Sequence, residues 1–325
     1  MLDGELKKRL GSALPSMTKK GLTLHPRTWW SGVPHNKFIV LEENEHPIAV
    51  WTGSTNLTPS GFLGQSNMAH VIEEEDLARS YASYWEKLAS DPAVGDFRSF
   101  NTGEFPDPDP LAASEIRPIF SPREKGMLAW YAGQMAEAEK AGFLTAAFGV
   151  SEEIGAAFTG PSDILRFVVA ENAGRTDKAK ETMTAIENDR NNIVAMGALL
   201  AQKSIKAGLP GEALDRWFLR EERHRREGNI FYIHTKMMMI DPFGPNPRVF
   251  SVSANFSGVS VTGNDENMLL LSGEWASEVT VILVNEFMRL HRHLYFRTTA
   301  LKLAGDGGSD AGKAALLTPD EKWQE

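Results

Sequence analysis

Histidine, lysine, serine and asparagine recur in this chain at fixed intervals, and together those side chains suit the chemistry of an anionic ester. Lys236, Ser253, Asn255 and Glu266 follow His234 at offsets of 2, 19, 21 and 32, and Lys37, Ser54, Asn56 and Asn67 follow His35 at the same offsets. The copies are 234 − 35 = 199 residues apart, with no gap. A separation this long reads as two halves of one fold, because solenoid repeats have periods of roughly 20 to 50 residues. Two His-Lys pairs joined by two Ser-x-Asn pairs make a cationic, donor-rich site that fits a phosphodiester. One neutral imidazole can attack phosphorus and form a phosphohistidine while the other, protonated, donates to the leaving oxygen; the two then exchange tasks for water. The lysines and asparagines stabilise charge on the equatorial oxygens, with Ser54 and Ser253 as further phosphate-binding candidates. This scheme needs neither metal nor cofactor. A zinc site would want three or four converging ligands, and a glycine-rich phosphate loop is absent. A lone histidine is usually structural, but two in a repeated constellation are not lone.

The segment HTKMMMID, followed by Ser-x-Asn in VSANFS and by NDEN, resembles the phospholipase D superfamily, and HNKFIVLE with GSTNLT resembles its first copy. The resemblance implies an α/β fold, a phospholipase D-like pseudo-twofold repeat of mixed sheets flanked by helices, with the site between the halves. It also implies a metal-independent phosphodiesterase in which Glu266 orients a histidine. Since His234 is the histidine with a carboxylate in its own copy, the expectation is His234 as nucleophile and His35 as acid. There are three departures from the pattern. Glu42 ends the first motif where Asp241 ends the second; both have strand parity opposite to their histidines and read as supporting groups. Val252 stands where the pattern has Gly. Asn67 stands where an acid is expected, unless a one-residue gap instead pairs Asn67-Met68 with Asn267-Met268.

The elements that must hold these residues follow from periodicity. KFIVLEE and PIAVWTGS read as strands joined by a turn at Asn44 to Pro47, and NMAHVIEE as a third. Asp76 to Ala89 reads as a helix capped by Asp76, with a stripe of Leu77, Tyr81, Tyr84, Trp85 and Leu88. Trp275 to Tyr295 is its counterpart. After a Pro/Asp/Gly-rich linker at 101–114, strands RPIF, FLTAAFGV, ILRFVVAE and IVAMGALL alternate with helices EKGMLAWYAGQMAEAEKA, SEEIGAAF and DKAKETMTAIENDR, which predicts a sheet covered on both sides. The division expected is a partial first half at 1–100, the linker, a second half at 115–300 and a flexible tail at 301–325. An equal first half would begin at 115 − 199 = −84, so it is expected to be truncated, with an exposed sheet edge that a homo-oligomer would cover. Other readings are a short helix through Leu6, Leu10 and Leu14, and a strand at LTLHPRTWW. Trp29 and Trp30 read as core or pocket wall, or as a surface that stacks on a base or dips into lipid. The arginines of DRWFLREERHRR read as a solvated face or a phosphate-backbone contact.

The 325 residues are 42% apolar and 24% charged, ordinary for a globular chain. The absence of cysteine excludes disulfides and thiolate metal sites. A net charge of −9 disfavours broad electrostatic binding to nucleic acid or anionic membrane and leaves room for a local positive pocket. MLDGELKKRL lacks the apolar core of a signal peptide, and no apolar run approaches the roughly 20 residues of a span; the expectation is a cytoplasmic protein. A nucleic acid is the first substrate class and a phospholipid the second; the third reading is a scaffold that binds phosphate without turning it over.

Overall fold

A computed structural model describes residues 21, 23–29, 32–197 and 232–305. Strands β1 (Phe38–Glu43), β2 (His46–Gly53) and β3 (Ala69–Ile72) form one antiparallel sheet in the order β1-β2-β3. The β1–β2 connection has Asn44 and Glu45 at φ of 53° and 67°, both left-handed, as a two-residue turn matched to strand twist requires. Helices α1 (Pro59–Leu63), α2 (Glu75–Ala89) and α3 (Val94–Glu104) complete this half. The second half has strands β4 (Glu115–Ser121), β5 (Ala141–Ala146), β6 (Leu165–Ala170), β7 (Asn192–Met196), β8 (Met237–Ile240), β9 (Arg248–Val252) and β10 (Glu266–Ser272). They form a sheet in the order β4-β10-β9-β8-β5-β6-β7, in which β5, β6 and β7 run parallel and the other neighbours antiparallel. Among the described strands, this second sheet is mixed and the first is antiparallel. Its helices are α4 (Gly126–Ala136), α5 (Glu152–Thr159), α6 (Asp177–Asn188), α7 (Gly258–Thr262) and α8 (Glu274–Gly305).

The spacing of 199 extends from the polar motifs to the elements. Phe38 pairs with Thr52 as Met237 pairs with Ser251, and Gly53 pairs with Ala69 as Val252 pairs with Met268. α1 and α7 begin at Pro59 and Gly258, and α2 and α8 at Glu75 and Glu274. Strands β8-β9-β10 thus repeat β1-β2-β3, and β4 to β7 with α4 to α6 have no counterpart among the described residues of the first half.

Alternation sorts the second-half strands between two cores. On β10, Met268 and Leu270 face one way, toward Leu128, Ile154 and Met183 of α4, α5 and α6. Leu269 and Leu271 face the other, toward Leu77 and Tyr81 of α2 and Phe287 of α8. The run MMMI in β8 splits likewise, so a continuous apolar stretch belongs to a strand buried on both faces.

Several expectations change. The α2 cap is Glu74, whose carboxylate accepts from the amides of Asp76 and Leu77, and Asp76 itself is exposed in the first turn. Trp85 is exposed. The linker begins inside α3, where Asn101 is buried and donates to Pro122 O at 3.1 Å. Residues 23–29 form no strand; side chains satisfy this backbone instead, with Asp91 accepting from the amides of Thr28 and Trp29. Residues 301–305 continue α8. Leu6, Leu10, Leu14, Trp30, the arginines of 215–226 and residues 306–325 lie outside the described residues. No helix among the described residues is long and apolar enough to cross a membrane.

Candidate functional site

Each half delivers its His-x-Lys segment on the extended residues just before a strand: His35 and Lys37 precede β1, and His234 and Lys236 precede β8. The two segments are held by the opposite half. His35 donates its amide to Asp265 O at 2.9 Å and His234 to Ser66 O at 3.2 Å, while Asp265 and Ser66 donate in return to Val33 O and Tyr232 O. The numbers again differ by 199, so this exchange has local two-fold symmetry.

The side chains follow the backbone across. Glu266 Oε2 lies 3.0 Å from His35 Nδ1, and Asn67 Oδ1 lies 2.7 Å from His234 Nδ1. This corrects the pairing expected from sequence, in which Glu266 served the histidine of its own copy. Position fixes each partner's identity: Met68 donates its amide to Ser54 Oγ and Asn267 donates its amide to Ser253 Oγ, both at 3.0 Å. Since 253 − 54 and 267 − 68 both equal 199, Asn67 is the true counterpart of Glu266, and the one-residue gap is not needed. The Asn67 amide cannot turn round without loss, because its Nδ2 donates to Gly61 O at 2.7 Å and its Oδ1 accepts from Ser54 Oγ at 2.9 Å. His234 therefore carries its proton on Nδ1 when neutral, and its Nε2 lone pair is free. His234 Nε2 is buried with no hydrogen-bond partner.

The two rings sit 6.2 Å apart, centroid to centroid. Burial pushes the His35 imidazole below its usual range against the pull of Glu266, and burial with the charges of Lys236 and Lys37 pushes His234 down to about 2. Burial brings Lys37 down to about 8, and burial with the charge of Lys37 pushes Lys236 well below its usual range. Lys37 donates to His35 O, whereas Lys236 Nζ is buried with no partner. Lys236 Nζ, His234 Nε2 and Asn255 Oδ1 are each buried without a hydrogen-bond partner, which is costly unless a polar group pairs with them. An anion between the lysines would relieve that cost.

Asn56 and Asn255 begin the turns leading into α1 and α7, with Thr58 and Ser257 donating their amides to Asn56 O and Asn255 O at 2.8 Å. Gly61 is required here because a Cβ would strike Asn56 O. Asn255 borders a cavity of ≈ 170 Å³ on the second-half side. Ser253 Oγ donates to the carbonyl of Asn267 at 3.0 Å, and Ser54 Oγ is similarly occupied by Asn67, so the serines hold strands together rather than offering free donors. Glu42 is exposed on β1. Asp241 is buried and accepts from the amides of Glu139, Lys140 and Ala141 at 2.7–2.9 Å, a strand-end fastening far from proton transfer.

Residues not singled out from sequence complete the arrangement. Asn264 donates to Glu266 Oε1 at 2.7 Å, fixing the carboxylate that faces His35. Glu171 accepts from the amide of Ile233 at 2.7 Å, and Thr145 joins Thr235 O to the amide of Met237. Arg27 binds Asp265 Oδ2 at 3.0 Å. Asn264 and Asp265 lie inside the NDEN segment, so position was the available signal; Thr145 lies on β5 and Glu171 just after β6, strands without a repeat. Among the described residues no three His, Asp or Glu side chains converge to hold a metal ion.

No family model matches the chain, and no curated protein matches it. Solved structures similar to it include Nuc from Salmonella typhimurium, described as a phospholipase D family member, at 12% identity and a TM-score of 0.37 over 54% of this chain and 93% of that one. NucT from Helicobacter pylori is similar at 15% identity and a TM-score of 0.37, over 55% and 95% of the two chains. A phosphatidylserine synthase from Haemophilus influenzae is similar at 11% identity and a TM-score of 0.47, over 75% and 59%. Each of these is a likeness of fold over part of the two chains.

Proposed function

We propose that the chain cleaves phosphodiesters through a phosphohistidine, with His35 as nucleophile and His234 as acid. The observation that carries this reading is the exchange of partners between halves, which engages the Nδ1 of each ring with a group of the opposite half, with the ring centroids 6.2 Å apart. His35 Nε2 forms the bond to phosphorus as the bond to the leaving oxygen breaks, and His234 Nε2–H supplies the proton to that oxygen. His234, now neutral, takes a proton from water as water displaces His35. Lys37 and Lys236 neutralise the non-bridging oxygens, and the amides of Asn56 and Asn255 complete their binding. The reason for choosing a nucleophile is unchanged from sequence: the adduct puts positive charge on the ring, and a carboxylate compensates it. That carboxylate faces His35, so the assignment expected from sequence is reversed.

A nucleic acid is the substrate class favoured first, supported by the exposed Trp29 indole two residues from the Arg27–Asp265 contact, a surface on which a base can stack. A phospholipid is the second reading, supported by the exposed Leu63 and Val259 on the two short helices after the Ser-x-Asn pairs. The test is turnover of bis-p-nitrophenyl phosphate in the presence of EDTA, with parallel assays on single-stranded DNA, RNA and phosphatidylcholine. Turnover that is lost in both His35→Asn and His234→Asn supports the reading. Tight phosphate binding with no turnover of any diester would instead make the site a scaffold.

A further inference from the structure

The repeat allows the same structural position to be examined twice, once covered and once bare. Met238, Ile240, Phe256, Val261 and Leu270 of the second half are at most 8% exposed, in the core beneath α4, α5 and α6. Their counterparts 199 residues earlier are Ile39, Leu41, Leu57, Phe62 and Val71, and these are between 55 and 70% exposed. Sequence has kept all five positions apolar while the layer that would bury them has no counterpart among the described residues. On the sheet, Ile39 pairs with Trp51, which pairs with Val71, so three large apolar groups form one row across the strands. Monomeric proteins rarely expose a contiguous patch of more than a few hundred Å².

We infer that this face is an interface between two copies of the chain. A second copy is the occupant argued for because the face is apolar across its width and carries no charge within the row. The same face can therefore meet itself about a two-fold axis, as isologous interfaces do, without a second sequence to complement it. Charge then selects the axis. The exposed carboxylates Glu42, Glu43, Glu45 and Glu73 all lie at the β1–β2 turn end of the sheet. An axis along the strands would bring the two acidic ends together, whereas an axis across them sets each acidic end over the α1 end of the partner copy. Three strands spaced about 4.8 Å apart give a narrow face, so the area buried falls at the low end for specific interfaces and the affinity is expected in the micromolar range. The interface is independent of the phosphodiesterase reading and lies outside the histidine site.

Sedimentation velocity over a range of concentrations should show a monomer–dimer equilibrium, and the double variant Ile39→Lys/Val71→Lys should be monomeric throughout while retaining its circular dichroism. Because the chain has no cysteine, Leu41→Cys supplies a single thiol, whose maleimide modification should slow as protein concentration rises. A wild-type monomer at every concentration would overturn the inference. So would a dimer that survives the double substitution with unchanged affinity, or labelling of Leu41→Cys that ignores concentration.

Discussion

A phosphorylated imidazole carries a positive charge that its neutral precursor lacks, so what stands behind each ring separates the two histidines more sharply than their sequence motifs do. Glu266 faces His35 with a carboxylate held by Asn264, while Asn67 faces His234 with a neutral amide. Glu266→Gln keeps the hydrogen-bond geometry and removes the charge; turnover should fall about 10- to 100-fold, in kcat rather than KM, and an unchanged kcat would remove Glu266 from the mechanism. The opposite change is expected at Asn67. With burial and two lysines holding His234 at about 2, little of the acid is protonated near neutrality in the free protein. kcat/KM for a diester with a poor leaving group should therefore fall as pH rises, while p-nitrophenyl esters, which need no proton, should show no such limb. Asn67→Asp puts a carboxylate against His234 Nδ1, raises its pKa and should move the descending limb upward by about 1 to 3 pH units. Equal loss on both kinds of ester would refute the acid role of His234. The residues themselves were legible because their spacing recurs; their partners were not, because a constant offset cannot say whether an acid serves its own copy or the other.

At the scale of elements, Asp241 shows how a motif residue can be structural. Its carboxylate accepts three successive amides at the entry to β5, and its own φ of 47° turns the chain out of β8. Asp241→Ala leaves those amides without an acceptor and should cost about 2 to 4 kcal/mol of stability, with activity per folded molecule retained below the melting transition; loss of kcat without loss of stability would contradict this. Strand parity read from sequence already turned Asp241 and Glu42 away from the histidines. Strands β4 to β7 and their helices were legible because each carries its own period. What periodicity could not supply was the insertion of β8, β9 and β10 between β4 and β5, since sheet order depends on which apolar faces meet across long sequence separations. The α2 cap was misplaced by two residues because Glu74 and Asp76 are both plausible first-turn acids, and only the dihedral of Glu74, extended at φ −136°, distinguishes a cap from a first-turn residue.

At the scale of the whole molecule, the two halves depend on each other: neither contains both a histidine and the group behind it, so the site exists only where they meet. The halves are also unequal, with three strands against seven among the described residues, and the chemistry proposed is unequal too. The covalent step tests both. In His234→Asn, attack on bis-p-nitrophenyl phosphate still proceeds because p-nitrophenolate leaves without a proton, but water is no longer activated, so the adduct should accumulate. An alkaline quench preserves phosphohistidine, and peptide mapping by mass spectrometry should place the substrate-derived phosphoryl group in the peptide that contains His35, with none in His35→Asn. Turnover by the wild type with no adduct on either histidine, in this variant or in His35→Asn, would contradict the covalent mechanism, and an adduct on His234 would contradict the assignment of His35 as nucleophile.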